Sequence, residues 1–157
     1  MKIASVNEIK DELSHLPQKE LVKLCLQLAK FKKENKELLT YLLFEAHDLQ
    51  GYIANVKTQM DEQFTEINSS SLYFAKKTLR KILRIANKYV RHTGSKEAEA
   101  EILLHYCQSL NDSGIPYKKS TALNNIYLGQ IKKIKLAISS LHEELGYEYQ
   151  RQLDKLE

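Results

Sequence analysis

The five histidines and their acidic neighbours are the first residues to test for chemistry. Glu12 and His15 have the Glu-x-x-His spacing that di-iron bundles use twice. The chain holds no second copy, and His15 falls at the end of a short amphipathic segment. Glu45, His47 and Asp48 lie together in "EAHD", where a protonated imidazole would suit a helix C-terminus. A metal centre there would need ligands from elsewhere. Glu101 and His105 are four apart, the spacing of a pair on one helix face. "HEELG" at His142 lacks the second histidine of a zinc-protease motif. Cys25 and Cys107 match no metal or redox spacing, and both are expected to be packed, reduced and inert. Neither a glycine-rich phosphate loop nor a Gly-x-Ser-x-Gly elbow occurs. No catalytic, cofactor-binding or metal-ligating residue is assigned, and no cofactor is expected.

Charge is the stronger signal. "YFAKKTLRKILRIANKYVRHTG", Tyr73 to Gly94, contains seven lysines and arginines and no acidic residue. The net charge of the chain is +4, yet residues 67–96 carry 8 basic and no acidic side chains. Residues 1–66 carry 9 basic and 11 acidic side chains, and residues 97–157 carry 7 and 9. At about 100° per residue, Lys76, Lys77, Arg80, Lys81, Arg84, Lys88 and Arg91 share one sector of a helix. Ala75, Leu79, Ile82, Leu83, Ile85, Ala86, Tyr89 and Val90 share the opposite one, so one face packs and the other is a positive stripe.

Like charges at 77/81, 80/84 and 84/88 each cost about 0.2–0.5 kcal/mol in an isolated helix. A solvated outer face accounts for the stripe without function; an anionic partner accounts for it with one. If the following helix folds back, Glu97 and Glu101 would lie near Arg91 and Lys88. Beyond Glu101 it offers no acid, which leaves Lys76, Lys77, Arg80, Lys81 and Arg84 as the open part of the surface. Phe74 and Tyr89 are expected to face inward, so the stripe is poorly interleaved with aromatic groups. Most of the nine tyrosines sit on or beside apolar stripes.

The elements that position these residues are helical throughout. Ser5 and Glu8 form a capping-box pattern ahead of Ile9, Leu13 and Leu16. Pro17 then suits the first turn of "KELVKLCLQLAKF", in which Leu21, Cys25 and Leu28 form a stripe. Extending that stripe would turn Lys32 and Asn35 inward, so a break is expected there. Leu38, Leu39, Leu42, Leu43 and Phe44 cover more than one face and predict a central, surrounded helix. Ile53, Val56, Met60, Phe64 and Ile67 give the next stripe. After the basic helix, Ser95 caps a segment with Ile102, Leu103, Tyr106 and Leu110 on its stripe. "NDSGIP" is a loop. From Leu123 to Leu156 apolar residues recur at spacings of three and four, with a break expected near Gly146. That spacing serves either a core or a dimer seam.

"LPQKELVKLCLQLAKFKKENKELLTYLLFEAHD" (Leu16 to Asp48) and "KKTLRKILRIANKYVR" resemble a bacterial family of small all-helical proteins of unknown function, over most of the chain. The resemblance implies an all-helical fold and a bacterial cytoplasmic setting, and it transfers no site residue. No fixed period or tetratricopeptide or ankyrin consensus is present.

The sequence therefore predicts an all-α protein, a single domain over 1–157. About six to eight helices would pack as antiparallel hairpins in an irregular bundle or short α-superhelix. "MKIASVNEIKDEL" has no apolar core of a signal peptide, and no stretch is apolar enough to suggest a membrane span. The expected function is a non-enzymatic binding or scaffold module for a protein partner. The alternatives are nucleic-acid or polyanion binding through the basic helix 72–93 and, behind it, an enzyme or metal protein. A cytoplasmic monomer is expected, with a homodimer through the C-terminal helix as the other assembly.

Overall fold

The computed structural model describes residues 1–157, which form an all-α protein. The helices are α1 (Val6–Ser14), α2 (Gln18–Phe31), α3 (Lys33–Thr40), α4 (Leu49–Thr65), α5 (Leu72–Thr93), α6 (Lys96–Asp112), α7 (Thr121–Ser139) and α8 (Glu143–Asp154). A π-helical turn, Tyr41–Glu45, continues α3, and a short 3₁₀ turn, Tyr117–Lys119, precedes α7. No helix is long and apolar enough to cross a membrane. The chain divides into two compact units, Met1–Phe44 and Glu45–Glu157.

In the first unit, the Ser5 hydroxyl accepts the Glu8 N–H and the Glu8 carboxylate accepts the Ser5 N–H, completing the capping box. Lys32 is extended, with φ −141 and ψ 143, and separates α2 from α3 where the change of stripe requires a break. The Asn35 amide donates to the Leu28 carbonyl at 2.8 Å across this turn. Two expectations fail here. Leu38, Leu42, Leu43 and Phe44 are exposed, so α3 is not a surrounded helix. Cys25 is exposed as well, on the side of α2 that faces α3.

The core of the second unit is built around α6, which packs against α4, α5, α7 and α8. Its buried residues, Ala98, Ala100, Ile102, Leu103, Leu104, Tyr106, Cys107 and Leu110, surround the helix instead of forming one stripe. Such all-round burial belongs to a central helix. From α4 come Ile53, Val56 and Met60, and from α7 come Leu123, Tyr127, Ile131, Ile134 and Ile138.

The three-and-four pattern of the C-terminal segment is thus spent on this core. It breaks at Ser140–His142, a few residues before the expected Gly146. Gly146 lies inside α8 and is buried; a Cβ there would stand 3.4 Å from the Ile138 carbonyl oxygen. The glycine lets α8 pack closely on the end of α7. The "NDSGIP" loop is held by aromatic contacts, with the Tyr117 and Tyr127 rings 4.9 Å apart. The Tyr127 hydroxyl donates to the Leu156 carbonyl at 3.1 Å.

Candidate anionic-partner interface

Helix α5 starts at Ser71, whose hydroxyl accepts the Tyr73 N–H, and ends at Gly94, whose φ of 59 is left-handed. Its 22 residues span about 33 Å. Ala75, Leu79, Ile82, Ala86 and Val90 are buried on one side. The Tyr106 hydroxyl of α6 donates to the Leu79 carbonyl at 3.1 Å within the core.

With that side fixed, the positive side must face outward. Lys77, Arg80, Lys81, Arg84 and Arg91 are exposed, and Lys76 and Lys88 are half-buried. Lys88 lies 5.4 Å from the Tyr89 ring centroid, a cation–π distance. The structure therefore brings all seven predicted residues to one helix, but it does not leave them equally free.

Two shallow concavities run along this face. One, of about 590 Å³, is lined by Tyr73, Lys76, Lys77, Arg80, Lys81 and Arg84. The other, of about 630 Å³, is lined by Arg84, Asn87, Arg91, Lys96, Glu99 and Lys133 among others. Arg84 belongs to both, so the positive surface is continuous from the start of α5 to its end. Glu99 is its one carboxylate, and Lys96 already pairs with it at 2.8 Å.

The acids of α6 do not serve the stripe as the sequence allowed. Glu101 pairs with Lys57 of α4 at 2.6 Å and accepts the Tyr149 hydroxyl of α8 at 2.9 Å. Glu97 accepts the Gln50 amide at 2.8 Å. His105 meets Asp61 of α4 at 2.7 Å and not Glu101. Burial, reinforced by the Glu101 carboxylate, pushes the Tyr149 phenol well above its ordinary range. The acidic side of α6 thus faces α4 and α8. None of the ion pairs of this unit involves Lys76, Lys77, Arg80, Lys81, Arg84 or Arg91.

Sequence reasoning missed three residues of the interface. Lys133 reaches it from α7, which only the packing of α5, α6 and α7 could reveal. Tyr73 is 68% exposed, and helical spacing places it in the middle of the basic sector, a position that could have been read from the sequence. Phe74 was expected to face inward. It is exposed and meets the Tyr73 ring edge-on at 5.5 Å between centroids, because helical spacing puts it at the border of the basic sector and not on the face of Ala75 and Leu79.

The remaining candidates are dispersed. His15 bonds through Nδ1 to the Asp11 carbonyl. Asp48 caps α4 by accepting the Gly51 N–H at 3.0 Å, and His47 is exposed beside it. His142 is the residue before α8, and His92 meets the Tyr89 ring edge-on. No three of the His, Cys, Asp and Glu side chains converge as a metal site would require. No protein-family model, curated protein or solved structure matches this chain.

Proposed function

We propose that the protein is a binding module whose α5 face engages an anionic macromolecule, and that a single-stranded nucleic acid is the partner this face suits best. The carrying observation is Tyr73, exposed at the head of α5 in the concavity that Lys76, Lys77, Arg80, Lys81 and Arg84 also line, none of these cations being spent on an ion pair. Cations spaced along a helix neutralise successive phosphates, and an exposed ring stacks on a base of any sequence. An acidic protein surface would use the cations and leave the ring without a role.

Fluorescence anisotropy with a labelled oligothymidylate, over a series of salt concentrations, tests this reading. The logarithm of the association constant should fall against the logarithm of salt with a slope of about −0.7 per phosphate neutralised, so about −3.5 for five contacts. Replacing Arg80 and Arg84 with Gln should flatten the slope by about 1.4. Binding of polyglutamate but not of the oligonucleotide would favour the acidic-protein reading. Failure to bind either, with the fold intact, would leave the stripe a solvated face.

A further inference from the structure

We propose that the concavity where α5, α6 and α7 meet is a pocket for a phosphomonoester, and that it holds the terminal phosphate of a strand laid along α5. The second clause rests on the function proposed above. The concavity at the head of α5 is lined by residues of that helix alone. The other, of about 630 Å³, has walls from three helices: Arg84, Asn87 and Arg91 of α5, Lys96 and Glu99 of α6, and Lys133 of α7.

Arg84, Asn87 and Arg91 follow one another at spacings of three and four, which sets them in one line along α5. Lys133 joins them from α7. Arg84, Arg91 and Lys133 are exposed, and none of the three enters an ion pair. Asn87 adds a half-buried amide. Cations of two helices thus share one volume whose single carboxylate, Glu99, is already taken by Lys96 at 2.8 Å. Their mutual repulsion is relieved by an anion placed between them.

The walls favour a doubly charged group. Helix α6 begins at this pocket, where Ser95 accepts the Ala98 N–H at 3.2 Å. The N–H groups of Lys96 and Glu97 have no carbonyl of their own helix to meet, so the positive end of α6 adds to the charge of the side chains. A phosphodiester within a strand carries a single negative charge, whereas a phosphomonoester carries about −1.5 to −2 at pH 7 and offers three acceptor oxygens. Two guanidinium groups suit those oxygens, because each presents paired donors in a fixed fork. The line of cations also stops here, because α5 ends at Gly94 and the chain turns into α6. A strand that follows Tyr73, Arg80 and Arg84 along the helix meets its last α5 lysine or arginine at Arg91, inside the pocket.

Fluorescence anisotropy at one salt concentration tests this with internally labelled oligothymidylates of equal length, carrying a 5′-phosphate, a 3′-phosphate or hydroxyl groups at both ends. One phosphorylated end should bind about ten-fold tighter than the hydroxyl-ended strand, the yield of one charge-assisted hydrogen bond. Arg91→Gln and Lys133→Gln should each reduce that preference several-fold. Lys77→Gln, outside the pocket, should weaken all three strands alike and keep the preference. Thymidine 5′-monophosphate, titrated against thymidine by calorimetry, separates the two sources of the phosphate. If it binds in a Lys133-dependent manner while no strand binds, or while all three strands bind equally, the pocket stands and its ligand is a free phosphomonoester. If the three strands bind equally and the monophosphate binds no better than thymidine, the pocket is overturned and the reading of α5 stands. If neither strand nor monophosphate binds to the folded chain, both fall.

Discussion

The hydroxyl of Tyr106 on α6 donates to the main-chain carbonyl of Leu79 on α5 at 3.1 Å, and both residues are fully buried. One hydrogen bond thereby ties the middle of the basic helix to the centre of the core. It also sets the roll of α5 about its axis. With Leu79 pointing at α6, Arg80 and Lys81 must point away, and Arg84 follows one turn later.

Replacing Tyr106 with Phe should therefore cost about 1 kcal/mol, the usual net worth of one such bond. The carbonyl keeps its partner within the helix and the ring still fills its space. Tyr106→Ala should cost about 3–5 kcal/mol through the cavity it leaves. Urea denaturation measures both. Equal losses for the two variants would show that the hydroxyl, and not the ring, carries the site.

Much of this arrangement is legible in the sequence because it follows from periodicity. Ile53, Val56 and Met60, Ala75 to Val90, and Leu123 to Ile138 are buried on the faces their spacing predicts. Gly94 and Ser95 mark a helix end and a helix start at their expected places. Periodicity does not say which apolar face meets another. The five apolar residues from Leu38 to Phe44 look like a central helix by pattern, yet α6 occupies that role, where Ala98 and Ala100 permit close approach. The same limit explains Lys133 and the acids of α6: a helix pattern gives a residue's face, and only packing gives that face its neighbour.

Burial also predicts an alkaline limit to stability. The Cys107 thiol is pushed up from 9.0 to about 12 by burial, and the Tyr106 phenol is raised above its ordinary 10.0 for the same reason. A raised folded-state pKa means that the folded chain holds the proton more tightly. Its contribution is whole below the unfolded pKa and is lost as pH rises towards the folded one. Unfolding free energy should begin to fall near pH 9, approaching 1.36 kcal/mol per pH unit for each such group. Cys107→Ala should be less stable at neutral pH but flatter between about pH 9 and 10, before the tyrosines contribute. A variant that falls as steeply as the wild type in that window would remove the thiol from the account.

Two glycines should respond oppositely to the same substitution. Gly129 lies inside α7, and a Cβ there meets no heavy atom within 4 Å. Gly129→Ala should stabilise by about 0.5–1 kcal/mol through lower backbone entropy in the unfolded chain. Gly94 has φ 59 and ends α5, so Gly94→Ala should destabilise by about 1–2 kcal/mol despite open space around it. Thermal midpoints should move by about 2–4 °C per kcal/mol in a chain of this size, up for the first variant and down for the second.

The exposed ring at the head of the basic face allows stacking and charge to be separated. Tyr73 is exposed and its ring meets that of its neighbour Phe74, so Tyr73→Ala should leave the unfolding free energy within about 0.5 kcal/mol of the wild type. If the ring stacks on a base, the same variant should weaken oligonucleotide binding by about 1–3 kcal/mol, and Tyr73→Phe should retain most of the affinity. The salt slope should stay where it was, because no cation has been removed. The Arg80→Gln, Arg84→Gln pair should do the reverse: the slope flattens, and the preference for an oligonucleotide over an abasic chain of equal length persists. If Tyr73→Ala flattens the slope or leaves affinity unchanged, the ring takes no part in recognition. The charges of α5 would then act alone, as they would on any acidic surface.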